Sequence, residues 1–179
     1  MISLTSAQID AWLVAFLFPL ARILALLAAA PPFNNPGLTV RVRLMIGLAI
    51  TVAVAPALPA MPKVAPTSGL SLLILAKQIV IGYAMGFALR LIFSAIDMAG
   101  LLISNQAGLG FATAYDPQNT SQTPVVSEFI GILALLIFLG INDHLMVVTT
   151  VVQSFTSIPV GLGVVAAATW HNMAAGGVI

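Results

Sequence analysis

Chemistry in this chain has few residues to draw on: five Asp and Glu, six Lys and Arg, two His and no Cys among 179. Without cysteine there is no disulfide, thiolate metal site or thiol nucleophile. His144 and His171 lie far apart and form no HExxH pair, so a metal site would need ligands brought together from a distance. An intramembrane aspartyl protease needs two aspartates that share a proton in apolar surroundings. Asp97, Asp116 and Asp143 are the candidates, but the chain has no GxGD motif, and Asp116 is followed at once by Pro117. Gly108-Leu109-Gly110 lacks the third glycine of a dinucleotide loop and the Lys of a phosphate loop, and no predicted strand precedes it. A net charge of +1 gives no electrostatic case for nucleic acid. The reading is of a non-enzyme with no cofactor. A competing chemical reading is an ion-coupled transporter. Arg22, Arg90, Asp97 and Glu128 are ionisable groups in apolar stretches, and such groups are functional candidates by default. A broken third helix would hold substrate at its unwound part, although no internal repeat is visible.

The elements that carry these groups must live in an apolar medium. Sixty per cent of residues are hydrophobic and 6% are charged, against about 25% charged in a soluble domain. That is too little charge to cover a water-facing surface. The first apolar run, Ala11–Ala30, reaches the ~20 residues needed to span a bilayer. No Lys or Arg precedes it, and it is longer than a signal-peptide core, so it is expected to persist as a helix. Thr5 and Gln8 fit a capping box before it, and Pro31-Pro32 end it. Arg22 lies inside this run, where a charge costs at least ~2.5 kcal/mol. It is expected to face other helices or water.

A proline-rich loop, residues 31–43, ends in Arg41 and Arg43, and a second, short helix follows over Leu44–Leu58. Residues 59–69 form a rigid connector. Leu70–Ile103 is one apolar stretch free of proline. As a single helix it is about 51 Å long, so it must tilt, project from the membrane, or break near Gly82, Gly86 or Gly100. Gly82 and Gly86 form a GxxxG pair suited to close packing, with Arg90 on the same face. Arg90 and Asp97 share a face but stand ~10 Å apart along the axis, and Arg90 leans toward the helix N-terminus, away from Asp97, so each is expected to find a partner on another helix. Thr123-Pro124 reads as a cap and first position for a fourth helix, Pro124–Leu139. Gly140–His144 is a polar break before a further helix, Leu145–Phe155. The two are expected to form an antiparallel hairpin around Asn142, Asp143 and His144. Arg41 and Arg43 against one Lys63 favour a cytoplasmic first loop.

Between the third and fourth helices lies "NQAGLGFATAYDPQNTSQTP", residues 105–124, with no Lys or Arg. It is longer than an ordinary connector, and such loops are often functional. A subunit of a protein-conducting pore would use one. Gly108 and Gly110 and the neighbouring small residues are conformationally permissive, while Phe111 and Tyr115 supply bulk.

Five ordered segments then resemble the FliR/SctT family of type III secretion export-gate subunits. They are "WLVAFLFPLARILALLAAAP", "VRVRLMIGLAITVAVAPALP", "QIVIGYAMGF", "GLLISNQAGLGFATAYDP" and "FLGINDHLMVVTTVVQSFTSIPVG". The chain departs from the family in carrying Asp143 where Gly is usual. It also ends, at residue 179, where longer members continue into further hydrophobic helices, so 1–179 is expected to be one FliR-like domain without them. The resemblance implies an all-α membrane protein whose helical hairpins pack in an export gate, with helices standing largely above the membrane plane. It implies FliP-like and FliQ-like membrane proteins as partners, FlhB and FlhA as neighbours, exported flagellar proteins as cargo, and contact with membrane lipid. The location implied is the bacterial inner membrane, at the flagellar basal body. By position, Gly108, Gly110, Phe111, Tyr115, Asp116 and Pro117 match a loop that plugs the closed pore. Arg22, Arg90, Asp97 and Glu128 are expected to make polar contacts between helices or subunits.

Overall fold

The computed structural model describes residues 6–34, 37–59, 61–62, 64–66, 68–108 and 125–161. Its elements are helices: α1 (Ser6–Ala29), α2 (Val40–Val54) continued by a 3-10 turn (Ala55–Ala57), α3 (Gly69–Gln106), α4 (Val125–Gly140) and α5 (Asp143–Ser157). α1, α2 with its 3-10 turn, and α3 are each long and apolar enough to cross a membrane, and α4 with α5 could form a fourth, bent span. The Thr5 and Thr123-Pro124 caps lie outside the described residues.

α1 continues through Pro19, which is buried, and ends before Pro31-Pro32 as its sequence requires. α2 begins four residues earlier than the prolines upstream suggest. Arg41 and Arg43 therefore sit in its first turn and not in the loop. Thr39 supplies the first backbone acceptor to Arg43 N–H at 3.2 Å, without a side-chain cap. Arg43 also donates from Nε to the Phe33 carbonyl at 3.2 Å, which ties the loop back on itself. A Cβ at Gly47 would come within 2.5 Å of Leu24 and 3.5 Å of Leu27. α2 thus packs back along α1, and the two form a hairpin.

α3 is unbroken over 38 residues. Ser68 caps it: its side chain accepts from Ser71 N–H at 3.2 Å and donates to the Ala65 carbonyl at 2.8 Å. At ~1.5 Å per residue the helix is about 57 Å long, nearly twice the ~30 Å hydrocarbon core. Glycine does not break it because each of its interior glycines, Gly82, Gly86 and Gly100, is where another helix comes close. A Cβ at Gly82 would overlap the carbonyl oxygen of Arg22. One at Gly86 would lie 2.6 Å from the Leu26 oxygen and 2.7 Å from Ala29 Cβ. One at Gly100 would lie 2.6 Å from Ser127 Cα. The residue pairs rise together along α1 and α3, so those helices are parallel. Along α4 they descend: Ser127 meets Gly100, and Phe138 meets Phe93 edge-on with centroids 5.8 Å apart. α3 and α4 are therefore an antiparallel hairpin.

The expected antiparallel turn between α4 and α5 is corrected by the structure. The chain bends there by 67° and does not reverse. Only Ile141 and Asn142 separate the helices, and Asn142 adopts a left-handed conformation (φ 61°, ψ 24°), which asparagine tolerates better than most residues. Its carbonyl accepts from Leu145 N–H at 2.9 Å to start α5. Direction is then set by packing. Val151 and Phe155 of α5 join Ile23, Leu26, Leu27 and Ala30 of the α1 region in the main core, with Val147 at its edge. α5 therefore continues back along α1, away from α4.

Candidate functional site

The best-built polar site lies around Arg22, which is fully buried. Its location follows from the helix packing above. α1 and α3 run parallel in backbone contact at Gly82, which places Gln78, one turn earlier on α3, beside the guanidinium. α5 returns along α1 and brings Ser154, Phe155 and Ile158 to the same point. Arg22 donates from Nε to Gln78 Oε1 at 2.8 Å, from Nη1 to Ser154 Oγ at 2.9 Å and from Nη2 to the Ile158 carbonyl at 3.0 Å. Its guanidinium carbon stands 4.0 Å from the Phe155 ring centroid, within cation–π range. Ser154 in turn donates to the Val151 carbonyl at 2.6 Å. Arginine suits this place because its planar fork serves several acceptors at once. The Ile158 carbonyl is at the end of α5, where the helix dipole favours a cation. Lys77 makes a second link of this kind, donating to the Gly161 carbonyl at 2.8 Å. Two cations on α1 and α3 thus hold the C-terminal end of α5.

Arg22, Gln78 and Ser154, one cation, one amide and one hydroxyl, form an inter-helix lock. Sequence reasoning singled out Arg22 and missed Gln78, Ser154 and Phe155. Gln78 could have been found, since it stands at i−4 from Gly82 and i−8 from Gly86, on the face that approaches α1. Gln78 is also fully buried, and its Nε2 has no hydrogen-bond partner.

The other charged candidates lie elsewhere. Arg90 and Asp97 are exposed and line one cleft of about 350 Å³ with Ala29, Pro31, Asn34, Phe93 and Ser94, at the level where α1 ends. The Asp97 backbone carbonyl accepts from Ser127 Oγ at 2.9 Å, and the Asp97 carboxylate lies against Gly131 of α4. Glu128 is exposed in the first turn of α4. Asp143 lines a different cavity, with Met85, Leu89 and Phe138, so the structure does not bring Asp97 and Asp143 together. His144 is half-buried with an unpartnered Nδ1. The unwound third helix that a transporter reading needs is absent, since α3 is continuous from Gly69 to Gln106. Of the loop candidates, Gly108 is described, with φ +74°. Its N–H donates to the Asn105 carbonyl at 3.1 Å as the chain leaves α3. Gly110, Phe111, Tyr115, Asp116 and Pro117 lie outside the described residues.

A family model described as bacterial export proteins, family 1, matches residues 13–178. The flagellar biosynthetic protein FliR of Escherichia coli (strain K12) is 39% identical over 161 residues, covering 90% of this chain and 61% of the relative. FliR of Pectobacterium carotovorum subsp. carotovorum is 38% identical over 181 residues, covering 100% of this chain and 69% of the relative. FliR of Aquifex aeolicus (strain VF5) is 28% identical over 152 residues, covering 85% and 58%. The chain thus spans from 58% to 69% of the length of these three relatives. Its match extends across all five described helices from Leu13 onward, and the chain belongs to the bacterial export proteins, family 1.

Proposed function

We propose that this chain is a subunit of the flagellar type III protein export gate, in the bacterial inner membrane. It would work by assembling with other small helical membrane proteins, FliP-like and FliQ-like, beside FlhB and FlhA. Together they would enclose a path for unfolded flagellar proteins. The observation that carries this reading is α3. It is about 57 Å long against a ~30 Å hydrocarbon core, and apart from Arg90, Ser94, Asp97 and the polar residues at its C-terminal end its exposed side chains are mostly apolar. Leu72 and Val80 near one end are 69% and 67% exposed, and Leu102 and Ile103 near the other are 55% and 50% exposed. An upright helix of that length leaves one apolar end outside lipid, where only protein can cover it. A subunit buried among neighbours fulfils that requirement, and a lone transporter does not.

In this reading the segment 108–117 plugs the closed pore. Gly108 supports it by turning the chain out of α3 with a positive φ, at the tip of the α3–α4 hairpin. The segment's small residues and lack of Lys and Arg leave nothing to hold cargo. The Arg22 lock would fix the helices behind that hairpin, while the exposed Arg90, Asp97 and Glu128 would contact neighbouring subunits. Two measurements test the proposal. Purification of the full-length chain from native membranes is expected to bring a stable complex of several small hydrophobic proteins. Recovery of the chain alone, with substrate-dependent flux, would overturn the assignment. Shortening 108–117 is expected to raise ion leakage through the assembled gate, and unchanged leakage with assembly confirmed would remove the plug role.

A further inference from the structure

The 67° bend between α4 and α5 leaves a groove on its inner side. About 340 Å³ is open there between α3, α4 and α5. The walls are apolar, made chiefly by Met85, Leu89 and Ile92 of α3, Phe138 of α4 and Met146 of α5. One carboxylate, Asp143, faces this space. The only other polar lining side chain is Thr150, whose hydroxyl already donates to the Met146 carbonyl at 2.8 Å. The cations of the described chain are engaged or placed elsewhere. Arg22 is bound to Gln78, Ser154 and Ile158, Arg43 to Phe33, Lys77 to Gly161, Arg90 lines the cleft beside Asp97, and Arg41 is exposed in the first turn of α2. Asp143 stands in the first turn of α5, where the helix dipole favours a negative charge. That placement explains how an acid is tolerated at the bend, but it provides no counter-ion on the groove side.

We propose that this groove receives a membrane helix of a partner subunit carrying one basic side chain, which pairs with Asp143. The inference rests on the gate-subunit reading and names the chemistry of one of its contacts. A lipid acyl chain would fill the apolar walls and cover the half-buried Asp143 without giving its carboxylate a counter-ion, which is costly as water is excluded. A wholly apolar helix would do the same. An apolar helix with a Lys or Arg at the matching level satisfies both parts of the site. It also gives register, because the charge fits at one height along the groove.

The test places a photo-crosslinking amino acid at Met146, which is 68% exposed, in the full-length chain within its native membrane complex. The crosslinked peptide is then identified. The expected product is a membrane-helix peptide of a different subunit, with Lys or Arg within one helical turn of the crosslink. Asp143→Asn is expected to lower its yield about tenfold, the effect of ~1.4 kcal/mol, and Asp143→Glu to retain it. Asp143→Lys is expected to abolish the crosslink, and exchanging the partner's cation for Asp is expected to restore it. That reciprocal rescue separates loss of pairing from loss of fold. Crosslinks to lipid, to a second copy, within the same chain, or to a helix without a basic residue would each overturn the proposal. So would an undiminished yield in Asp143→Asn. If the complex itself fails to form around the unsubstituted chain, the gate-subunit reading fails with it. If the complex forms and the crosslink goes elsewhere, this inference alone fails.

Discussion

The two halves of α3 are built differently. From Ser71 to Gly86 the helix buries Ser71, Ile74, Gln78, Gly82 and Gly86 against α1, and the contact includes a lock of buried hydrogen bonds. From Leu91 to Gln106 it buries Gly100 and Ser104, and its partner α4 is held by close approach at Ser127, one exposed hydrogen bond from Ser127 Oγ to the Asp97 carbonyl and an edge-on ring pair. The first half is specified inside the chain, by backbone contact and by polar groups that fit one geometry. The second half is a two-helix hairpin with apolar residues open on its outer faces. In lipid or among neighbours, helices gain little from apolar matching alone, and specificity comes from small-residue contacts and hydrogen bonds. The first half therefore carries the buried polar contacts that specify the fold, and the second leaves more of its apolar surface open.

The sharpest way to break this comparison is at Gly82. Even Gly82→Ala places a methyl on the Arg22 carbonyl oxygen, and backbone cannot rotate away as a side chain can. Gly82→Leu is expected to cost about 3 kcal/mol or more, read as loss of a folded, monodisperse species in detergent. An unchanged melting temperature for Gly82→Ala would show that α1 and α3 do not meet there. Arg22→Leu should come next. It leaves Gln78 Oε1 and the Ile158 carbonyl without their donor, and a buried polar group left unpaired costs about 1–3 kcal/mol. A lower melting temperature and weaker co-purification with partners are expected. Arg22→Lys should recover only part of the loss, because an ammonium lacks the planar fork.

How much of this could be read from sequence divides along the same line. The helix count, the unusual length of α3, the Gly82–Gly86 contact face and the unfavourable position of Arg22 all follow from local composition and spacing. The lock around Arg22 does not. Gln78 lies 56 residues and Ser154 132 residues from Arg22, and nothing local states that α5 returns to α1. The polar break at 140–144 was legible as a break. Its angle was not, because direction was decided by where Val151 and Phe155 pack. Placing α2's start at Leu44 failed for a related reason. Arg41 and Arg43 read as loop residues, yet Val40 and Val42 stand beside them on helix that is open on that side.

In the second half the expected effects are smaller. Gly100→Ala would bring a methyl to 2.6 Å from Ser127 Cα. α4 is held chiefly by α3 and can retreat, so about 1–2 kcal/mol is expected, measured as a drop in melting temperature. A loss as large as that of Gly82→Ala would mean that both halves are equally fixed.

The smallest effect on the chain alone carries the most weight for function. Leu102→Ser and Ile103→Ser alter side chains that are about half exposed and make no part of either core cluster. In detergent the isolated chain should change by less than about 0.5 kcal/mol, as surface substitutions generally do. In the native assembly the same substitutions should lower recovery of partner subunits, because they put hydroxyls where an apolar face must be covered. Equivalent changes at Leu72 and Leu73, which are 69% and 61% exposed at the opposite end of α3, provide the control. If lipid covers that end and protein covers the other, Ser at 102 or 103 should disrupt the complex while Ser at 72 or 73 leaves its composition intact. The same loss from both ends would mean that partners cover the whole helix. Loss from neither would mean that lipid does, and α3 would then have to lie steeply tilted to fit its length within the bilayer.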